Sequence, residues 1–145
     1  MKKILLLSTM MIVSCVSNET NTPVEKTELR LDYSVAEKDH IKWNDVFLQK
    51  EERYLVYFYS KTCGYCRLLK EDILTYYLKN NETLYFVDAI EENATFKSPA
   101  SGMIGVCSID NFYIAGTPML VEFTKWTVTN LYSGVDNIKM YISSE

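Results

Sequence analysis

"YLVYFYSKTCGYCRLLKEDIL", residues 54–74, decides the fold. It opens on aromatic and aliphatic residues with no polar alternation. Such a run suits a strand buried on both faces. After Ser60 and Lys61 the pattern changes. Cys66, Leu69, Ile73 and then Tyr76 or Tyr77 recur at helical spacing, while Lys70, Glu71 and Lys79 fall elsewhere. Cys63 and Cys66 stand where one pattern gives way to the other. The stretch reads as buried strand, turn, and a helix from about Cys63 to Lys79, with two thiols at the helix start.

That placement gives the spacing a chemical meaning. Residues i and i+3 of a helix lie on nearly one face, close enough for a small disulfide ring. Cys63, in the first turn, meets unpaired backbone N–H groups and the positive end of the helix dipole, which favour thiolate. Cys66, one turn inward, is shielded. Cys63 is then the attacking sulfur and Cys66 the resolving one. Lys61 adds positive potential, Gly64 leaves the approach open, and Tyr65 sets an aromatic ring beside the pair.

Three other readings stay open on the residues alone. A structural zinc site needs four ligands, and beyond this pair residues 29–145 offer only Cys107 and His40. A copper site could use Cys63, Cys66 and His40, because thiolates select Cu(I). A purely structural disulfide would close too short a loop to constrain the unfolded chain much.

Working outward, "LRLDYS" at 29–34 reads as a short strand, and residues 37–50 as a helix carrying Ile41, Val46 and Phe47 or Leu48. "TLYFVDA" is a second buried strand. Residues 90–102 have loop chemistry around Pro99 and Gly102, and 103–114 read as a short helix. "GTPMLVEF" starts a strand at a proline, and "WTVTNLYS" is its hairpin partner across a turn near Lys125. Gly134 breaks the chain before a last helix with Val135, Ile138 and Ile142 on one face. The order is β-α-β-α-β-α-β-β-α, an α/β domain with early parallel strands and a late antiparallel edge. Cys107 reads as a buried core thiol, and His40 as a surface helix residue. Trp126, near the hairpin turn, reads as partly buried.

The N-terminus reads as an address. Lys2 and Lys3 precede an apolar run too short for a bilayer, which takes about 20 residues. The run ends in Ile12-Val13-Ser14-Cys15, which resembles the bacterial lipobox. The resemblance implies cleavage of residues 1–14, diacylation of Cys15, and an extracytoplasmic, membrane-held protein. Two or more acyl chains hold stably, and a disulfide-permissive compartment follows. Residues 15–28 are polar, include Pro23 and read as a flexible tether. The domain then spans 29–145. A formal charge of −4 with no basic stripe argues against nucleic acid as partner.

Gly116-Thr117-Pro118 supports a redox site. If the Thr117–Pro118 bond is cis, the Thr117 backbone becomes an unpaired strand edge on which an extended client could add. CxxC between a buried strand and a helix, then a Gly-Thr-Pro strand, a hairpin and a last helix, resembles the thioredoxin fold: a central mixed sheet flanked by helices. "TCGYC" and "GTPMLVEF" are most similar to the catalytic domains of bacterial DsbC-type disulfide isomerases. The resemblance implies Cys63 as nucleophile, Cys66 as resolving thiol, and a cis Pro118 facing the pair. The chain departs from the pattern in three places. Tyr57 stands where thioredoxins bury an acid, Thr62 stands where they have a tryptophan, and a tether stands where DsbC-type isomerases have a dimerisation domain.

These readings converge on a membrane-anchored thiol–disulfide oxidoreductase of reductase or isomerase type, expected to be a monomer in the cell envelope without metal or organic cofactor. Its expected partners are protein or peptide disulfides and a membrane-bound redox partner. Thr117, Pro118 and Tyr65 are the expected client-binding residues. The alternatives are a dithiol oxidase, or a thioredoxin-fold lipoprotein that binds copper or peptide without exchange.

Overall fold

The computed structural model describes residues 30–144. The expected leader, Cys15 and the tether lie outside the described residues. Four strands and two α-helices follow one another: β1 (Arg53–Tyr59), α1 (Gly64–Lys79), β2 (Leu84–Asp88), β3 (Met119–Thr124), β4 (Thr127–Ser133) and α2 (Val135–Ser144). The sheet order is β2-β1-β3-β4. β1 and β2 are parallel, joined through α1, while β3 runs antiparallel to β1 and β4 antiparallel to β3.

β1 is central, and every residue of it but Arg53 is buried. Strand side chains alternate between faces, so one run of sequence feeds two cores. Leu55, Tyr57 and Tyr59 join Leu84, Phe86 and Leu120 beneath α1 and α2, with Cys66, Leu69, Ile73, Ile138 and Tyr141. Tyr54, Val56 and Phe58 join Val87, Val121 and Phe123 on the other face. No α-helix covers that second face among the described residues; Trp43, Val46 and Phe47, with Met103, Phe112 and Ile114, do so. Burying one large aliphatic side chain gains about 1.5–3 kcal/mol, so the inner face of α1 fixes the helix, and Cys66 with it, against β1.

Three expectations fail, two of them because hydrogen bonds to the sheet override local pattern. The chain at 30–34 is not a strand; Tyr33–Asp39 forms a 3-10 helix instead. The helix expected over 37–50 is absent. His40 bridges to Phe86, and the Ile41 N–H donates to the Phe86 carbonyl at 2.9 Å, leaving only a short turn at Trp43–Asp45. The helix expected over 103–114 is replaced by single turns at Ala100–Met103 and Ile109–Asn111. Between them Gly105 adopts φ +87°, which glycine supplies without strain, and Gly105 and Val106 exchange hydrogen bonds with Val128 of β4. Cys107 rides on this connection and is exposed, contrary to the expected core position.

The hairpin turn falls where the sequence puts it, with Lys125 and Trp126 at φ +49° and +58°. Paired positive φ values match the twist of a two-residue hairpin turn. Trp126 is more exposed than expected. Its indole N–H donates to the Gln49 carbonyl at 2.7 Å.

Candidate active site

β1 delivers the chain to the site and a tight turn starts the helix. The Cys63 N–H donates to the Ser60 carbonyl at 3.1 Å, and the Thr62 N–H to the Ser60 hydroxyl at 3.3 Å. Cys63 has extended φ/ψ and is the N-cap of α1, one position ahead of the first-turn place expected for it. Its sulfur does the work of a capping oxygen: Sγ accepts the Cys66 N–H at 3.1 Å.

The second wall comes from β3. Met119 pairs with Phe58, so the residues just before β3 lie at the end of β1. The Thr117–Pro118 bond, left open by the residues alone, is cis, as the resemblance implies. The Thr117 carbonyl lies 3.3 Å from Cys63 Sγ, and the protonated thiol donates to it. Thr117, Pro118, Tyr65, Gly116, Leu68 and Val135 line a groove of about 410 Å³. Tyr65 and Leu68 are each about two-thirds exposed on its rim. The structure thus brings together the residues expected for catalysis and client contact, Cys63, Cys66, Tyr65, Thr117 and Pro118, while Cys15 lies outside the described residues.

The two thiols are free and unlike. Burial acts to raise the Cys63 thiol, but hydrogen bonds from the side chains of Cys66 and Thr117 and from the Cys66 and Tyr65 amides outweigh it. The net result is a thiol below its ordinary value. Cys66 is only 1 % exposed. Burial, and then its hydrogen bond to Cys63, push it up to about 11. Deprotonation therefore starts at the accessible sulfur, and the second proton leaves the pair late.

Two predicted contributors play other parts. Lys61 is no free cation: its Nζ lies 2.7 Å from Glu91 and 3.8 Å from Asp88. His40 is half-buried, not on a helix surface. Its ring nitrogens bond the Ala36 carbonyl at 3.0 Å and the Tyr59 hydroxyl at 2.9 Å. Among the described residues no group of three or more histidine, cysteine or carboxylate side chains is arranged to hold a metal ion.

Sequence reasoning missed Tyr33, whose ring stacks on Tyr59 at 3.9 Å within the cluster that holds Cys66. A misplaced strand hid it. It also missed Leu68 and Val135 as groove walls. A leucine off the buried face of α1 was the available signal.

No family model matches the chain, and no curated protein matches it. Solved structures do. The reduced thioredoxin pre-protein of Schistosoma mansoni is 15% identical, covers 72% of this chain and 94% of its own, and superposes with a TM-score of 0.50. A mutant thioredoxin from Halobacterium salinarum is 21% identical over 72% of this chain and 87% of its own, at 0.48. Mitochondrial thioredoxin 3 of Saccharomyces cerevisiae is 11% identical over 73% and 93%, at 0.49. The protein has a thioredoxin-like α/β fold, with a cysteine pair in the CxxC spacing at the start of its first α-helix.

Proposed function

We propose that this protein is a thiol–disulfide oxidoreductase acting on protein or peptide clients through Cys63 and Cys66. One observation carries the reading. The accessible sulfur caps a helix N-terminus and is biased towards thiolate, while its partner three residues on is buried and held protonated. The Cys63 thiolate attacks a client disulfide and forms a mixed disulfide, and the displaced client sulfur leaves with the electron pair. Cys66 gives up its proton and attacks Cys63 Sγ. The Cys63–Cys66 disulfide forms and the second client thiol departs. Two electrons pass from the pair to the client. The Thr117 backbone amide, which donates to no group among the described residues, offers an extended client a strand-like contact beside the reacting sulfur.

The Gly-Tyr pair inside the motif and the Gly-Thr-Pro strand support the DsbC-like, reductase or isomerase direction, with electrons from a membrane-bound partner. The lowered Cys63 thiol supports the opposite one, because stabilising the reduced form makes the couple more oxidising. The reduction potential of the pair against glutathione separates them. The lipobox-like Ile12-Val13-Ser14-Cys15 supports anchoring at Cys15 on the extracytoplasmic side. Cys15→Ser then moves the protein from the membrane to the soluble fraction; unchanged membrane retention removes the anchor from the reading.

Insulin reduction tests the activity. Cys63→Ser abolishes it, and Cys66→Ser accumulates mixed disulfides with client proteins. Full activity in Cys63→Ser ends the exchange reading.

A further inference from the structure

One buried polar residue has no part in the scheme above. Ser60 follows the last residue of β1 and is 5 % exposed, while its neighbours Lys61 and Thr62 are exposed. Polar groups taken out of water need partners. Those of Ser60 find theirs in the reacting segment.

The Ser60 carbonyl accepts the Cys63 N–H at 3.1 Å. The Ser60 hydroxyl accepts the Thr62 N–H at 3.3 Å and lies 3.0 Å from the Thr62 hydroxyl. The Ser60 amide donates to no backbone carbonyl among the described residues; it acts on the Cys66 sulfur instead. Burial and then the bond to Cys63 raise the Cys66 thiol, and among the groups that oppose them the Ser60 amide comes first. One residue thus bears on both sulfurs, through its carbonyl on the Cys63 side and its amide on the Cys66 side.

The hydroxyl decides how firmly those two backbone groups are held. The turn at 60–63 is closed twice, by the backbone bond from residue i+3 to residue i and by the serine hydroxyl on the N–H of residue i+2. The second closure fixes the peptide that leads into Cys63. Cys63 must leave that peptide with extended φ/ψ for its sulfur to accept the Cys66 N–H at 3.1 Å. The outer tie on the turn is weaker: Lys61 pairs with Glu91 at 2.7 Å in the open, where water and salt screen the charges. Without the hydroxyl the Thr62 N–H loses its acceptor, and one backbone bond alone aims Cys63.

We propose that Ser60 is a positioning residue for exchange: its buried hydroxyl sets the turn that aims Cys63 at the cap of α1 and keeps the Ser60 amide against the Cys66 sulfur. One side chain then holds the two thiols in their unequal places. Ser60 gives and takes no proton, and Cys63 and Cys66 remain the reacting residues. The inference rests on the exchange reading above.

The test uses the full chain carrying Cys15→Ser and Cys107→Ser, reduced, with two readouts. One is the pH midpoint of Cys63 alkylation by iodoacetamide. The other is the reaction with dithiobis(nitrobenzoate), in which Cys63 releases one nitrothiobenzoate and Cys66 releases the second on resolution. Ser60→Ala raises the midpoint by about half a pH unit or more, a loss of thiolate of about threefold below the midpoint, and slows the second release by about threefold or more. Ser60→Thr, which keeps a hydroxyl for the turn, returns both to within about twofold of the parent. Parent-like values in a folded Ser60→Ala overturn the inference and leave the exchange reading intact. One change without the other overturns it too, and so does a Ser60→Thr that behaves as Ser60→Ala, which assigns the effect to packing. If Ser60→Ala does not fold, Thr62→Val carries the test, since it removes the bond between the two hydroxyls from an exposed residue. A raised midpoint with a slower second release then supports the role of Ser60, and parent-like values overturn it. If the parent itself releases only one equivalent, the exchange reading falls and this inference falls with it.

Discussion

At the scale of the residue, function rests on one sulfur in the place of a capping oxygen. Cys63 accepts an amide hydrogen bond and lies beside the Cys66 thiol and Thr117. The sign of its pH dependence follows. A lowered thiol is ionised at a pH where free cysteine, near 8.5, is still protonated. Alkylation of Cys63 by iodoacetamide, followed by mass spectrometry of the peptide, therefore reaches half its limiting rate below the pH found for a free cysteine derivative in solution. The same shift stabilises the reduced fold. That contribution is complete above the unfolded thiol's value and is lost as pH falls through the folded one. In Cys66→Ala the amide cap remains but the S–H donor is gone, so the midpoint moves part of the way back up. A midpoint in the native protein equal to that of free cysteine in solution removes the basis for Cys63 as nucleophile.

At the scale of the element, legibility tracked the source of each element's stability. β1, α1, the β3–β4 hairpin and α2 were readable because their own side-chain periods create the faces they bury. The cysteine pair was readable with them, since strand and helix patterns abut there. Residues 37–50 and 103–114 were not readable: their helix-like spacing yields to hydrogen bonds with Phe86 and Val128, partners that a local window does not contain. The exposure of Cys107 was lost for that reason, and Tyr33 was lost with the strand misplaced at 29–34. The far end of the sheet has an ionic lock of its own. Arg53 of β1 bonds Glu122 of β3 at 2.9 Å and Glu82 at 2.9 Å, and Asn130 of β4 donates to Glu122 at 2.8 Å. Arg53→Ala leaves the nearly buried Glu122 carboxylate with one neutral donor. We expect a loss of about 1–3 kcal/mol in urea unfolding, below the cost for a fully buried pair because Arg53 is half exposed. Arg53→Ala/Glu122→Leu recovers most of it. A loss in the double variant as large as in the single one assigns the effect to the arginine's packing instead of the stranded charge.

At the scale of the whole molecule, the described domain is held together by tyrosine to an unusual degree. Tyr33, Tyr54, Tyr57, Tyr59, Tyr76, Tyr77, Tyr85 and Tyr141 all have their phenols raised, in each case first by burial. Tyr77 is pushed to about 12, with Asp39 adding to burial, and Cys66 is raised alongside them. In the unfolded chain these phenols titrate near pH 10. Above that value the unfolded state releases protons that the folded state keeps. Stability contributed by the neutral phenols is whole below pH 10 and lost as pH rises, by up to about 1.4 kcal/mol per pH unit for each phenol involved. Many phenols titrating together make the loss steep. Alkaline unfolding should therefore be cooperative, and tyrosinate absorbance should appear in step with the loss of circular dichroism. Tyr57→Phe removes one such group and moves the transition to higher pH. Gradual appearance of tyrosinate in a chain that stays folded would show that the phenols reach solvent without unfolding, and the aromatic core would then be looser than its packing implies.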